Sequence, residues 1–443
     1  MRGPSATRSP LGPLLALAVG VAAGSYGLGA MGEEQLALPA RMAPPGAPLP
    51  PFEPLVREDD GLPGVPVALE DPGGHALDHA FRALDRVAEG HGTTRWTLYG
   101  GSHTASDLFV GRLRELMQAR FGDAGHGFVP MAPVVRHHWV WGMSIAPAEG
   151  FEVQQVGFKR REVDRYGPAG VRFVGYEDGA FAAVASDTWG TGRLASHLEL
   201  LYDRAPGGGD LDVLVDGRAV ARLATDAPAP EPGLLEVDVS LGPHRLEVRV
   251  RGERPVVTYG VRYEGPGPGI VVDNLGLVGS KARHQLLWDE EQWAWFLARQ
   301  PPDLVALAYG NNETVDPHLT VAEHEAHLRE VIARHRRHLP EASCLLIGPT
   351  NRPARRDDGS LAARPVVADL TDMFRRVAAD EGCAFFDTLR FQGGLGAGIA
   401  WLRHDPPYMR DDLVHLSREG YLRWGEALHD AVLRGYRAYR GRR

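Results

Sequence analysis

From about residue 95 the chain alternates between two hydrophobic textures. Residues 95–101 (RWTLYGG) read as a short strand ending in Gly-Gly, and residues 105–121 (ASDLFVGRLRELMQARF) as a helix with Phe109, Leu113, Leu116 and Arg120 on one face. Gly122 stands where the helix should stop. Between about Gly150 and Gly265 the helical period disappears and strict alternation replaces it. In LLEVDVSL, Leu235, Val237, Val239 and Leu241 oppose Glu236, Asp238 and Ser240; in HRLEVRVR, Leu246, Val248 and Val250 oppose Arg245, Glu247, Arg249 and Arg251. Such half-buried strands predict an antiparallel sandwich, with turns at Asp216-Gly217 and at Gly242-Pro243.

After Gly265 the first texture returns. Strands are predicted over 269–279, 303–310, 343–348 and 383–388, and helices over 288–300, 321–339, 365–381 and about 417–439. With the opening strand this makes five strands alternating with helices, which predicts a three-layer α/β/α sandwich around a mostly parallel sheet. The antiparallel block therefore interrupts one α/β domain after its first strand-helix unit. The expected division is 76–145 and 266–443 for the α/β domain and 146–265 for the insert. The insert is read as a carbohydrate-binding module, with a purely architectural role as the alternative.

Ahead of the folded part, Pro10 to Met31 is uncharged, with Arg2 and Arg8 before it and Glu33 and Glu34 after it. A positive flank and an apolar run make residues 1–31 an export signal. Ala-Gly-Ser at 23–25 suits a signal peptidase, while a run of about 20 residues also spans a bilayer, so cleaved leader and uncleaved anchor both stand. No cysteine follows the run, which excludes a lipoprotein anchor. Residues 32–75 are read as a proline-rich spacer, extended and stiff, with folded structure starting near Ala76. The expected location is the periplasm or cell envelope, with a possible membrane tether.

Composition narrows the classes. The 443 residues carry a net charge of −9, are 44% hydrophobic and 24% charged, and include two cysteines. That excludes a disordered chain, a disulfide scaffold and a four-thiolate zinc site, and it argues against a nucleic-acid partner. Cys344 and Cys383 begin successive predicted strands and are read as buried core thiols, with a disulfide as the alternative that export permits. The histidines His103, His137 and His138 lack companions at metal-ligand spacing, and no cofactor is called for. His137 to Trp141 reads instead as a polar-aromatic surface near the cleft, a candidate sugar contact.

Reactive groups in parallel sheets gather at the carboxyl ends of strands. Four segments fall there: Tyr99-Gly-Gly-Ser-His-Thr104, Val278-Gly279-Ser280, Tyr309-Gly-Asn-Asn-Glu313 and Asp411-Asp412-Leu-Val-His415-Leu-Ser417. Each alone is bland, since Ser102 can be a helix cap and Asn312 a turn residue. Together they form a chemical set. Ser102 is the candidate nucleophile, His415 its base, and Asp412, three residues earlier, the group that fixes the ring. The backbone N–H groups of Ser102 and Gly279 and the amide of Asn312 are candidate oxyanion donors.

On these blocks the chain resembles the SGNH (GDSL-type) hydrolases over about 76–145 and 266–440. GGSHT matches the first block, Gly279 the second, GNNE the third through Asn312, and DLVH the Asp-x-x-His of the last. Residues 101–130, followed by a β-insert and a return through VDNLGLVGSKA, are similar to bacterial peptidoglycan O-acetylesterases. The resemblance implies a flavodoxin-like α/β/α domain with a jelly-roll-like insert, and removal of acetyl esters from the C6 hydroxyl of muramoyl residues. An O-acetylated glycan, peptidoglycan above all, is the implied partner. Two departures stand out: Gly101 replaces the usual aspartate before the serine, and Asn311 replaces the usual threonine. An O-acetyltransferase built on the same fold and a catalytically decayed glycan-binding protein are the alternatives.

Overall fold

The computed structural model describes residues 49–136, 138–157 and 164–443. The leader read over 1–31, the first part of the spacer and His137 lie outside the described residues.

Helix α1 (Asp78–Ala88) leads into strand β1 (Thr93–Gly100), followed by the one-turn helix α2 (Ser102–Ala105), helix α3 (Leu108–Phe121) and strand β2 (Gly125–Pro130). Ten strands come next: β3 (Met143–Ile145), β4 (Phe151–Gln155), β5 (Val171–Gly175), β6 (Phe181–Ser186), β7 (Ala195–Arg204), β8 (Asp210–Val215), β9 (Arg218–Ala224), β10 (Glu231–Gly242), β11 (Arg245–Arg251) and β12 (Val256–Glu264). The α/β alternation resumes with β13 (Gly269–Gly276), α4 (Glu290–Arg299), β14 (Leu304–Ala308), α5 (Val321–His338) and β15 (Ser343–Ile347). A small hairpin, β16 (Ala354–Arg355) and β17 (Leu361–Ala362), precedes α6 (Val366–Asp380) and β18 (Ala384–Phe386). Two short helices, α7 (Thr388–Phe391) and α8 (Gly398–Arg403), lead to the long α9 (Arg418–Gly441).

Five strands form a parallel sheet in the order β13-β1-β14-β15-β18. The chain turns back on itself beside β1, which creates a switch point between β1 and β14, the usual location of a site in an open α/β sheet. Both faces of this sheet are covered. Trp96, Leu98, Ile270, Val272, Leu304 and Ala306 face a core shared with α1, α3 and α9. Tyr99, Leu275, Val305 and Leu307 face the other core, built with α4, α5 and α6.

The remaining strands make two antiparallel sheets, one in the order β10-β7-β12-β5-β4 with β2 added on β12, the other in the order β3-β6-β11-β8-β9. Strands β2 and β3 precede residue 146, where the antiparallel block was expected to begin, yet both ladder with it. Leu246, Val248 and Val250 are fully buried, and Asp216-Gly217 turns the β8–β9 hairpin in the left-handed region. The two parts meet over a buried polar joint. Arg95 of β1 grips Asp273 of β13 at 2.8 and 2.9 Å and Glu264 of β12 at 2.5 Å, while Asp273 also accepts the backbone N–H of Phe128 in β2 at 2.8 Å. Burial pushes the Asp273 carboxyl up, but Arg95 and Arg262 outweigh it and hold the group below its usual value.

Four expectations need correction. The buried face of α3 is Phe109, Val110, Leu113, Arg114, Met117, Gln118 and Phe121, not the row through Leu116 and Arg120, because Arg114 and Gln118 reach backbone carbonyls of the sheet. Leu241 is 58% exposed rather than facing the sandwich core, since the β10–β7 register breaks between Asp238 and Gly242. Residues 49–75 are not a free spacer. Val56 and Val67 are buried, Asp430 of α9 accepts the N–H groups of Leu55 and Val56, and Arg423 binds Asp60 and the carbonyls of Leu55 and Pro63. A proline-rich segment has few donors of its own, so two charged residues of α9 suffice to hold it.

Finally, Cys344 and Cys383 are not free thiols but a disulfide. Leu345 pairs with Ala384 in the parallel ladder, which puts the preceding cysteines side by side with Cα atoms 4.7 Å apart. The bond closes a loop spanning 39 residues that holds the β16–β17 hairpin and α6. Replacing both cysteines by serine is expected to lower stability by about 2–4 kcal/mol, measured as a shift of the urea midpoint.

Candidate active site

Ser102 is the first residue of α2, immediately beyond the carboxyl end of β1 at the switch point. Its Oγ lies 2.9 Å from Nε2 of His415, and Nδ1 of His415 lies 2.9 Å from Oδ2 of Asp412. These residues are 313 and three positions apart in sequence, respectively. The second contact is therefore local and the first is made by the fold.

The loop 410–416 is shaped to hold the ring. Oδ1 of Asp412 accepts the N–H groups of Val414 and His415 at 2.9 and 2.8 Å, Leu413 takes a left-handed φ of 62°, and Arg410 N–H closes the turn on the His415 carbonyl at 2.8 Å. A non-glycine residue in that region is uncommon and marks a turn that its surroundings enforce. Burial pushes the Asp412 carboxyl up, but the bonds from the His415 ring and from two backbone N–H groups outweigh it and hold Asp412 well below the usual carboxylate range. It is thus ionised wherever His415 acts as a base. Ser417 caps α9 directly after the loop by accepting the N–H of Gly420 at 3.2 Å.

Behind His415 sits a second imidazole. The His103 ring centroid is 5.4 Å from that of His415 and 5.9 Å from that of Trp424, and its Nδ1 pairs with the Tyr421 hydroxyl at 2.9 Å. Burial, then the nearby charges of His415 and Arg352, hold its pKa well below that of a free histidine. His103 is a neutral wall behind the working ring. The sequence flagged it only as a weak metal candidate; its place after Ser102 was the available signal.

Asn312 donates from Nδ2 to the Ser280 carbonyl at 2.9 Å, which leaves its second amide hydrogen available. Gly279 occupies the turn after β13 at φ 72°, and the preceding carbonyl, Val278, accepts from Gln155 Nε2 of β4 at 2.5 Å. Glu313 was missed as a structural part of this set. Its buried carboxylate accepts the N–H of Gly310 at 2.9 Å and that of Ala282 at 3.0 Å, bolting the Asn312 loop to the Gly279 loop. Asn311 does the same toward β15, exchanging bonds with Thr350 at 2.7 and 3.1 Å. A recess lined by Gly101, His103, Ser280, Asn311, Asn312 and Trp424 lies among these loops.

The unusual Gly101 has a steric cause. A Cβ there would stand 2.9 Å from Nδ2 of Asn312 and 3.2 Å from the Ser280 carbonyl. Any side chain, an aspartate included, would have to displace the amide.

The family model of the GDSL-like lipases and acylhydrolases matches residues 243–423. A solved structure described as "Peptidoglycan O-acetylesterase in action, 5 min" is 25% identical, with a TM-score of 0.68, over 84% of this chain and 99% of its own. Over residues 243–423 the chain is similar to the GDSL-like lipases and acylhydrolases, the SGNH hydrolases. A salicylyl-acyltransferase, SsfX3, is 14% identical over 65% of this chain and 96% of its own at a TM-score of 0.28. A family two carbohydrate esterase from Cellvibrio japonicus is 11% identical over 66% and 98% at 0.25. No curated protein matches the sequence. An SGNH esterase needs a serine, a base and an oxyanion site, and the hydroxyl, imidazole and carboxylate described above can supply the first two.

Among the described residues one group, His197, Glu199 and Glu236, has ligand atoms close enough to hold a metal. It lies in the antiparallel block, and Glu199 is already paired with Arg262 at 2.9 Å. Of the aromatic run, Trp141 is buried against Gly111 of α3, whereas Trp139 is half-buried and stacks on Trp189 with centroids 5.7 Å apart.

Two outcomes follow from this geometry. Gly101→Ala is expected to lower kcat on an aryl acetate by about tenfold or more, approaching the 10²–10³ loss of one oxyanion donor, while the melting temperature changes little. Because the folded-state pKa of Asp412 is depressed, its stabilising contribution is present above the unfolded value of about 4 and lost as pH falls toward the folded one. The stability gap between the wild type and Asp412→Asn should therefore shrink below about pH 4, followed by thermal melts across pH.

Proposed function

We propose that this SGNH esterase removes O-acetyl groups from a cell-wall glycan, most specifically peptidoglycan, with Ser102, His415 and Asp412 as the catalytic triad. The observation that carries the proposal is the Ser102–His415–Asp412 relay, both links at 2.9 Å, in a fold shared over 84% of the chain with a peptidoglycan O-acetylesterase.

Ser102 Oγ attacks the acetyl carbonyl carbon as His415 Nε2 takes its proton, and Asp412 stabilises the imidazolium through Nδ1. The carbonyl oxygen becomes an oxyanion facing the backbone N–H groups of Ser102 and Gly279 and the free amide hydrogen of Asn312. Collapse breaks the ester bond, and the proton on His415 passes to the departing sugar oxygen. Water then attacks the acetyl-serine, His415 acting again as base, and acetate leaves. The antiparallel block, which touches the Gly279 loop through Gln155, is the part we assign to holding the glycan. The apolar run Pro10–Met31 supports export to the cell envelope.

The test is acetate release from O-acetylated peptidoglycan and from acetylated xylan by the wild type, Ser102→Ala and His415→Ala. Faster release from peptidoglycan, with each variant reduced about 10³-fold or more, supports the proposal. Equal turnover by the variants would sink the triad. Preference for xylan would overturn the substrate, and acetyl transfer to an added glycan in place of acetate release would overturn the hydrolase.

A further inference from the structure

We propose that Arg352 and Arg364 form a subsite for a carboxylate carried by the acetylated glycan, next to the ester-cleaving group. The inference rests on the esterase reading and names a feature of its substrate.

The geometry comes from the small hairpin that follows β15. Ala354 pairs with Ala362 and Arg355 with Leu361, so the register continued two residues toward the base sets Arg352 across from Arg364. Arg352 is half-buried, and its Nη1 donates to the Asn311 carbonyl at 2.7 Å. Asn311 adjoins Asn312, whose Nδ2 lies 2.9 Å from where a Cβ on Gly101, the neighbour of Ser102, would stand. The base of the hairpin is therefore one loop away from the reacting atoms.

Both guanidinium groups lack what arginines in this chain normally have. Arg95, Arg165 and Arg329 each grip carboxylates. Among the described residues Arg352 bonds only the Asn311 carbonyl and, at 3.4 Å, the Thr314 hydroxyl, and Arg364 has a buried Nε with no partner. Burial and the neighbouring charge of Arg364 hold the Arg352 guanidinium below its ordinary value, and Asp412 offsets this only in part. Two neighbouring cations with no carboxylate bonded to either are an unfavourable arrangement that a bound anion would relieve. The rim reinforces the sign: Arg355 and Arg356 are exposed on the same hairpin, opposed by Asp357 and Asp358 at its tip.

A planar fork fits a carboxylate bidentately, and charge-assisted bonds of that kind are the strong ones. On a muramoyl glycan the carboxylate has two sources. It is the lactyl carboxyl where the stem peptide has been removed, or a stem-peptide carboxyl where it remains.

The test compares the full chain with Arg364→Gln and Arg364→Lys on a neutral aryl acetate, acetylated xylan, and O-acetylated peptidoglycan with stem peptides intact or stripped. For Arg364→Gln, kcat/KM on peptidoglycan should fall about 10- to 100-fold further than on the neutral substrates, chiefly through KM, with partial recovery in Arg364→Lys. A loss confined to stripped strands identifies the lactyl carboxylate, and one confined to intact strands the stem carboxylate. N-acetylmuramic acid should inhibit aryl acetate turnover competitively where N-acetylglucosamine does not, and less so in Arg364→Gln. An equal loss on all substrates, or equal inhibition by the two sugars, would overturn the subsite while leaving the esterase reading intact. A wild type that cleaves aryl acetate but releases no acetate from any glycan would instead count against the proposed function.

Discussion

The buried carboxylate of Asp273 is the joint on which the two halves of this molecule turn. It lies on β13, the strand by which the chain re-enters the parallel sheet after eleven antiparallel strands, and it binds Arg95 of β1 and the N–H of Phe128 in β2. Eight residues of β13 then ladder with β1 in register. A desolvated ion pair of this kind adds little net stability over an apolar equivalent, but leaving one partner unpaired costs about 3–5 kcal/mol. Its contribution is to forbid other registers. A slip of one residue would turn Asp273 to the opposite face and strand both charges.

That register has a consequence at the far end of the strands. With β13 locked, Gly276 lies opposite Gly100, so the loop carrying Gly279 and Ser280 meets the turn carrying Gly101 and Ser102. Asn312 donates to Ser280, and the absence of a side chain at Gly101 makes room for it. Glu313 ties the same two loops together by backbone N–H groups alone. The glycine that stands in place of the usual aspartate is thus part of one close contact with Asn312 and Ser280.

The antiparallel block joins this network rather than hanging from it. Gln155 reaches the Val278 carbonyl, and Arg262, bound to Glu199, also donates to the Phe296 carbonyl of α4 at 2.9 Å. Apolar packing is continuous from the sandwich interior to Trp293 and Phe296. A glycan held on the block would therefore rest on a surface whose position relative to Ser102 is fixed by polar contacts and by a shared core.

Much of this was legible in the sequence for a physical reason: local geometry is encoded locally. A two-residue period gave the exposed-face strands β10 and β11, a strand running into Gly-Gly-Ser-His gave the serine turn, and Asp-x-x-His needs only one turn to bring Asp412 onto its ring. What depended on register or on partners distant in the chain was not legible. The Cys344–Cys383 bond follows from the pairing of β15 with β18. The docking of 49–75 follows from Asp430 and Arg423, more than 350 residues away. Likewise the sequence supplied Arg352, Arg364 and Glu313 as ordinary polar residues, and only the hairpin register and the meeting of two loops gave them positions. Sequence by itself determined which strands, turns and reactive groups the chain owns. Tertiary structure decided which of them touch, because long-range contacts are selected by burial and hydrogen-bond satisfaction over the whole fold rather than by any neighbouring residues.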